Sequence, residues 1–435
     1  MLALSQVFFL STLSIESNSL KKFAPLIVLS LFLTYPTYAT DGYFPHGYGV
    51  KSQGMGGIGV AFPQDSIAAA MNPAGMGLIG DRLDVGITLF KPDRNSKIVG
   101  NGGGADGTYG GNDTKDFLIP EFGINKQIDD QYSIGLSVYA NGGMNTDYYG
   151  GIPLFTTTGA SSGVDLKQIF FVPTITWKPV PKHTLGLSVN LAYQSFEAKG
   201  LQNFTGTSTT SSPNNVTNND HDNSYGAGIK LGWIGELNEY LTIGATYHSK
   251  TYMTEFDKYK GLFAEKGDFD IPAHYAIGIA VKPLPDFVLA MDYQRIEYSD
   301  VRSVNNPLIP NLSSSKLGNS DGAGFGWDDV NIIKVGVSYD WSPNLTIRAG
   351  YNHSSQPIPN SETFFNILAP GVVQDHATFG ITYDVTKKSE ISLAYMHAFK
   401  NSVNGSGSIP SAYGGGETNL EMKQNSLGLA YAYKF

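Results

Sequence analysis

Leu185, Leu187, Val189, Leu191 and Tyr193 alternate with Gly186, Ser188, Asn190, Ala192 and Gln194. Leu345, Ile347, Ala349 and Tyr351 alternate with Thr346, Arg348, Gly350 and Asn352 in the same way. Period-two alternation of apolar with small or polar residues predicts β-strands with two chemically different faces. From Arg82 to the C-terminus such segments follow one another, joined by connections of two kinds. Tight ones fall at Asp129-Asp130, Val180-Pro181, Leu237-Asn238-Glu239, Leu284-Pro285, Ser342-Pro343 and Thr386-Lys387-Lys388. Long ones, rich in glycine and serine, cover residues 94–116, 145–164, 199–222, 255–268, 300–327, 356–370 and 401–418. Seven long and six tight connections predict fourteen strands with both chain ends on the tight-turn side.

A soluble sandwich would bury the apolar face against a second sheet. An outer-membrane barrel turns that face to lipid, lines its lumen with the other face and separates short from long connections. Trp177, Tyr240, Trp341 and Tyr383 stand beside the tight turns, where a barrel carries an interfacial girdle. Backbone groups in lipid must all be satisfied, so the sheet is expected to close. The expected fold is all-β, a fourteen-stranded antiparallel transmembrane barrel.

Composition agrees with that choice. Only 15% of the 435 residues are charged, against ~25% in ordinary soluble chains, and 12% are aromatic. An apolar content of 41% is too high for disorder. A net charge of −9 argues against a nucleic-acid partner. The absence of cysteine excludes a disulfide scaffold and a thiolate metal site. No metal or cofactor is expected.

The N-terminus reads as a targeting segment. Lys21 and Lys22 precede an apolar run from Phe23 to Leu33, followed by Thr37-Tyr38-Ala39, a small-x-small cleavage pattern. Residues 1–39 are therefore expected to be a signal peptide, with the mature chain starting at Thr40. Residues 1–20 fit poorly as its charged beginning; a start codon at Leu20 and an unusually long signal both account for them. At the other end Leu427, Leu429, Tyr431, Tyr433 and Phe435 alternate to a terminal aromatic. That looks like the signal read by the barrel-assembly machinery, although an ordinary last strand would give the same pattern.

Residues 40–81 do not alternate. Gly54, Gly56 and Gly59 spell G-x-G-x-x-G, but no apolar strand leads in and Pro63 interrupts the helix a dinucleotide site requires. The segment reads instead as a compact plug, with a short helix from Ser66 to Met71. Its closing Asn72-Pro73-Ala74 is expected to lock the plug against the first strand, because Asn caps the turn and Pro fixes it. The domains are thus a signal peptide over 1–39, a hatch over 40–81 and a barrel over 82–435.

The chain resembles the FadL family of outer-membrane transporters, with its TodX-type aromatic-hydrocarbon members. The resemblance rests on Asn72-Pro73-Ala74, on Tyr139-Ala140-Asn141-Gly142-Gly143-Met144, on Phe256-Asp257-Lys258-Tyr259-Lys260-Gly261-Leu262 and on Gly324-Phe325-Gly326-Trp327. It implies a hatch inside the barrel and passive uptake of long-chain fatty acids or other hydrophobic compounds. It also implies a kinked third strand, with lateral release into the lipid of a Gram-negative outer membrane. The partners are then a hydrophobic small molecule, outer-membrane lipid and the assembly machinery, and the protein is expected to be a monomer.

Three groups of residues are candidates for this chemistry. Asn141, Gly142 and Gly143 interrupt the alternation that runs through Ile134, Leu136 and Val138, as glycines do at a bulge or kink; they would also begin a simple loop. Met253, Phe256, Tyr259, Leu262 and Phe263 are spaced three or four apart, so on a short helix they would form one apolar stripe. That stripe reads as an extracellular capture groove or as packing on the barrel rim. Lys334 and Arg348 face inward on adjacent strands, where a cation would pair with a fatty-acid carboxylate; pairing with the inward Asp292, Asp340 or Asp384 is the alternative. No catalytic residue is expected. G-x-S-x-G and H-E-x-x-H are both missing, which disfavours a barrel hydrolase. A general porin or adhesin-like barrel would need no 42-residue plug.

Overall fold

The computed structural model describes residues 41–141 and 143–435. The targeting segment expected over 1–39, and Gly142 of the expected exit, lie outside the described residues. Fourteen strands form one antiparallel sheet that closes on itself. They are β1 (Arg82–Val99), β2 (Phe117–Gln127), β3 (Tyr132–Ala140, continued by Met144–Tyr148), β4 (Ser162–Val180), β5 (His183–Lys199), β6 (Asp222–Glu236) and β7 (Leu241–His248). The second half is β8 (His274–Leu284), β9 (Phe287–Ile296), β10 (Val330–Ser342), β11 (Leu345–Ser354), β12 (Asp375–Thr386), β13 (Ser389–Val403) and β14 (Glu417–Lys434). Closure comes from β1 pairing with β14, from Arg82↔Lys434 to Val99↔Glu417. Short pieces at Gly107–Gly110 and Tyr252–Met253 add to the sheet beyond the long-connection ends.

Alternation sorts the two faces as the sequence implies. Val85, Ile87, Leu187, Leu231, Leu393 and Leu429 are exposed on the outside, whereas Thr88, Ser188, Lys230, Ser392 and Ser426 are buried inside. Trp177, Tyr240, Trp341 and Tyr383 are exposed beside the tight turns. Among the described residues no helix is long and apolar enough to cross a membrane. The span is made by strands. Their outward apolar band suits lipid, and every ladder bond satisfies a backbone pair that lipid could not.

The main apolar core lies inside the long-connection end. There Phe155, Phe204, Phe364 and Phe365 pack among loop side chains. Residues 41–81 lie against the inner wall. They form a helical turn at Val50–Gln53 and 3₁₀ turns at Ala68–Ala70 and Pro73–Gly77. The helix expected over Ser66–Met71 is thus a single 3₁₀ turn. Glycines open the wall to this segment. Gly186 pairs with Gly232, Gly244 with Gly278 and Gly336 with Gly350. A methyl on Gly232 would sit 2.0 Å from Asn72 Oδ1, and one on Gly186 would sit 2.2 Å from the Ala74 nitrogen. The glycines of the G-x-G-x-x-G run serve the same closeness: Gly56 holds φ at 72° against the Tyr351 backbone.

Candidate functional site

β3 is broken, and the break is asymmetric. Ala140 pairs with Ile169 of β4, and Met144 with Leu166. Three residues on β3 therefore oppose two on β4, which is a β-bulge and reverses the inward parity of β3 beyond it. Gly143 takes φ 66°, and a methyl there would meet the Leu166 carbonyl oxygen at 2.2 Å, so the bulge requires glycine at this position. On the other side β3 pairs with β2 only from Phe122↔Val138 to Gln127↔Ser133. Among the described residues no ladder pair joins Phe117–Glu121 to β3. Sequence reasoning placed an interruption at Asn141–Gly143; the extra residue and the unzipped β2 edge are what the structure adds.

A cavity of about 410 Å³ lies behind this seam. Its lining includes both edges of the seam, from Phe117 to Pro120 and from Ala140, Asn141 and Gly143 to Asn145. Deeper walls come from Phe44, Pro45 and His46 of the N-terminal segment, from Phe90, Leu166, Met396 and Met422 on strands, and from Trp327. Trp327 is 1% exposed, donates its indole N–H to Asn366 Oδ1 at 2.6 Å and packs edge-on to Tyr298. In the sequence Trp327 stands out only within the Gly324-Phe325-Gly326-Trp327 motif, and Phe44, Phe90 and Met422 do not stand out at all. No periodicity marks residues brought together from strands so far apart.

Asn141 ties the bulge to its surroundings. Tyr48 donates its hydroxyl to Asn141 Oδ1 at 2.5 Å, and Asn141 Nδ2 donates to Gln168 Oε1 at 2.8 Å. Gln168 donates in turn to Gln194, and Gln194 to the Phe269 carbonyl. One chain of side-chain hydrogen bonds thus joins the N-terminal segment, the bulge, two strands and a long connection.

Asn72 does cap its turn, accepting from the Ala74 N–H at 3.0 Å. It does not face the first strand. Its amide donates to the Val60 carbonyl at 2.8 Å and to the Trp233 carbonyl of β6 at 3.1 Å, and Pro73 and Ala74 abut Gly186 and Gly232. The expected wall is corrected for a physical reason: the paired Gly186 and Gly232 leave room there for the motif. The end of the segment is held instead by β2, where Asn125 donates to the Gly80 carbonyl at 2.8 Å.

Lys334 and Arg348 are inward and buried, but they lie apart and neither lines the cavity. Lys334 donates to Gln294 at 3.0 Å and faces Asp41 at 4.0 Å. Arg348 donates to Gln64 at 2.6 Å and to Thr382 at 2.7 Å. The aspartates named as alternative partners are hydrogen-bonded to other groups, although Asp292 stands opposite Lys334 in the β9–β10 ladder. Asp292 accepts from the Gly59 and Val60 N–H groups, Asp340 from Thr346 and Asp384 from Lys434. Both cations therefore hold the N-terminal segment, as do Glu390 and Arg82, which gather Lys51 into one ionic cluster. Burial pushes the Asp41 carboxyl up to about 6 and holds His46 down at about 4.

The stripe at Met253, Phe256, Tyr259, Leu262 and Phe263 does not form an open groove. Phe256 and Tyr259 are fully buried, and Phe196 of β5 packs against Phe256, Tyr259 and Phe263 with ring centroids 4.6–5.6 Å apart. Met253 is also buried, and Leu262 is partly buried against the same core. The structure places all five in the core of the loop end.

A model of the outer membrane protein transport family OMPP1/FadL/TodX matches residues 46–435. No curated protein sequence matches the chain. Among solved structures, the Pseudomonas putida toluene transporter TodX is similar with a TM-score of 0.67 and 19% identity, covering 90% of this chain and 99% of that one. The Ralstonia pickettii toluene transporter TbuX gives 0.63 and 19%, covering 90% and 99%. A Pseudomonas aeruginosa FadL homologue gives 0.69 and 18%, covering 91% and 100%. With the family model matching nearly all of the chain, this protein belongs to the OMPP1/FadL/TodX family of outer membrane transport proteins.

Proposed function

We propose that this protein takes up uncharged hydrophobic small molecules through the outer membrane of a Gram-negative bacterium. The solute passes from the long-connection end into the 410 Å³ cavity and leaves sideways between β2 and β3 into the bilayer. Residues 41–81 act as a hatch that denies the solute a straight path to the tight-turn end. Asn141, Gly142 and Gly143 frame the exit, and Asn72, Pro73 and Ala74 seat the hatch.

The observation that carries this reading is that the unpaired β2 edge and the cavity wall are the same residues. Unpaired backbone facing lipid is costly, and here it borders an apolar chamber. A greasy solute moving into water would lose ~0.8 kcal/mol per CH₂, a loss that a chamber open to lipid avoids. An uncharged solute is favoured over a carboxylate because Lys334 and Arg348 stand off the cavity lining, and Arg94, which does line it, has its guanidinium engaged by Asn112, Thr114 and Asn145. The toluene transporters of similar fold carry solutes of that uncharged class.

The test is competitive uptake by cells expressing the protein in a strain lacking its own transporters. Toluene, a long-chain methyl ester and the matching free fatty acid are offered together. Faster entry of the two neutral solutes supports the reading, and preference for the free acid would overturn it.

A further inference from the structure

Arg94 lies on the inner face of β1 beyond the lipid-facing band and is 2% exposed. Its guanidinium donates to oxygens on both sides of the open seam. One NH₂ group donates to the carbonyl of Asn145 and to Asn145 Oδ1 at 3.2 Å, on the continued part of β3. The other donates to the Thr114 carbonyl, just before β2. Nε reaches Asn112 Oδ1 at 3.4 Å, and the Arg94 backbone completes the join: its N–H donates to Asn112 Oδ1 at 2.8 Å and its carbonyl accepts from Asn112 Nδ2 at 3.0 Å.

These bonds sit where the two edges meet again. Asn112 and Asp147 form a parallel bridge, and Thr114 donates its hydroxyl to Asp147 at 3.1 Å. The seam is therefore an aperture bounded at both ends, by the β2–β3 ladder at one and by this crosspiece at the other. Arg94 donates to both edges, and it also lines the cavity, with its guanidinium 5.9 Å from the Phe117 ring centroid. All its hydrogen-bond acceptors are uncharged oxygens. A planar fork spanning several carbonyls fixes a separation, which a single ammonium on a flexible stem does not.

We infer that Arg94 is the positioning residue that sets the width of the lateral aperture, and through it the largest solute cross-section released to the bilayer. This rests on the lateral-exit reading above and adds to it a specificity determinant.

The test uses Arg94→Met, Arg94→Lys and Asn112→Ala, each first shown to migrate as a folded, heat-modifiable barrel. Uptake of 1-methylnaphthalene is measured against toluene in the same cells. Spin labels at Leu118→Cys on the β2 edge and Tyr149→Cys just past the crosspiece on the β3 side, both highly exposed, report the separation of the two edges. In Arg94→Met the two-ring to one-ring ratio rises about tenfold, the scale on which a pocket separates solutes differing by a few carbons, and the label distance broadens. Arg94→Lys behaves like Arg94→Met although it keeps charge and bulk; rescue by lysine would mean that charge alone matters and would overturn the inference. An unchanged ratio and an unchanged distance in Arg94→Met would overturn it too. If Arg94→Met does not fold, Arg94→Lys and Asn112→Ala carry the same two readouts, with a smaller shift for Asn112→Ala. Bridging β2 to β3 with a thiol reagent separates the two claims. Uptake of both solutes surviving the bridge defeats lateral exit itself, whereas a bridge that stops both beside an unmoved Arg94→Met ratio defeats only the width-setting role.

Discussion

The β5–β6 seam and the β2–β3 seam join neighbouring strands of the same barrel and meet opposite fates. β5 and β6 stay paired from His183↔Gly235 to Phe196↔Asp222. β2 and β3 part after Phe122↔Val138, leaving Phe117–Glu121 without a partner on that side. Both seams have alternating strands and inward glycines. The difference is one extra residue at Asn141–Gly143, which turns β3 away from β2 while leaving it paired to β4. The inner wall differs as well. Behind β5 and β6 the Asn72-Pro73-Ala74 turn fills the space that Gly186 and Gly232 leave; behind β2 and β3 Ser66 and Met76 pack on Gly123 and Gly135 of the paired part, and the cavity stands behind the unpaired stretch. The wall loses its ladder beside the bulge, where the cavity stands behind it, and keeps it where the N-terminal segment packs directly on the paired strands.

Filling the closed side should have the largest effect. Gly232→Val puts a side chain where Asn72 Oδ1 and Pro73 already stand, 2.0 Å and 2.9 Å from the new Cβ. The hatch can no longer seat, so ion conductance in a planar bilayer should rise sharply from a barrel that still migrates as folded. The outward Leu231→Val change on the same strand should leave conductance at the wild-type level. A silent Gly232→Val would mean that the hatch does not close the lumen.

Next comes the loop core. Phe256→Ala removes a fully buried ring packed on Phe196, at a cost of about 3–5 kcal/mol. Limited proteolysis should cut residues 253–271 much faster in this variant. Toluene affinity should fall no more than that loosening allows, because Phe256 is absent from the cavity lining. A selective loss of affinity in an intact loop would restore the capture-groove reading.

Smaller again are the hatch cations. Arg348→Ala removes a charged donor's hydrogen bond to Gln64, worth ~1.5–3 kcal/mol to the seating of the hatch, and Lys334→Ala removes the 4.0 Å ion pair with Asp41. Each should change the affinities for a fatty acid and its methyl ester by the same factor. A loss confined to the acid would make these residues ligand contacts.

The smallest effect concerns pH. The Asp41 carboxyl is raised from 3.8 to about 6 by burial, so the folded segment binds its proton more tightly than the unfolded one does. Its contribution to stability is complete below about pH 4 and is lost as pH climbs through about 6. Hydrogen exchange near residues 41–44, corrected for intrinsic rates, should show less protection at pH 7 than at pH 5. Asp41→Asn should remove that difference, and a pH effect persisting in the variant would assign it to another group.

The strands were legible because alternation is local: each strand displays its own two faces, and six tight turns fixed their order. The break in β3 was legible from its adjacent glycines. Partners were not. Parity put Lys334 and Arg348 inside, but Asp41 and Gln64 reach them from a segment with no period to follow. The 253–263 stripe was counted on a helix, yet the chain there makes only a 3₁₀ turn at Asp257–Tyr259, and the side chains are gathered by Phe196 from another strand. Asn72 announced its cap, a contact two residues away. Its wall depends on Gly186 and Gly232, more than a hundred positions further on.

The central claim is that solute leaves through the β2–β3 seam, and cysteine pairs test it most directly in a chain that has no cysteine of its own. Ile119→Cys with Asn141→Cys, joined by a short bifunctional thiol reagent, spans the open seam. Leu187→Cys with Leu231→Cys spans paired positions of the closed one. Bridging the first pair should stop toluene uptake while the solute still binds, and bridging the second should leave uptake as it was. Uptake that continues through a fully bridged β2–β3 seam would contradict the account.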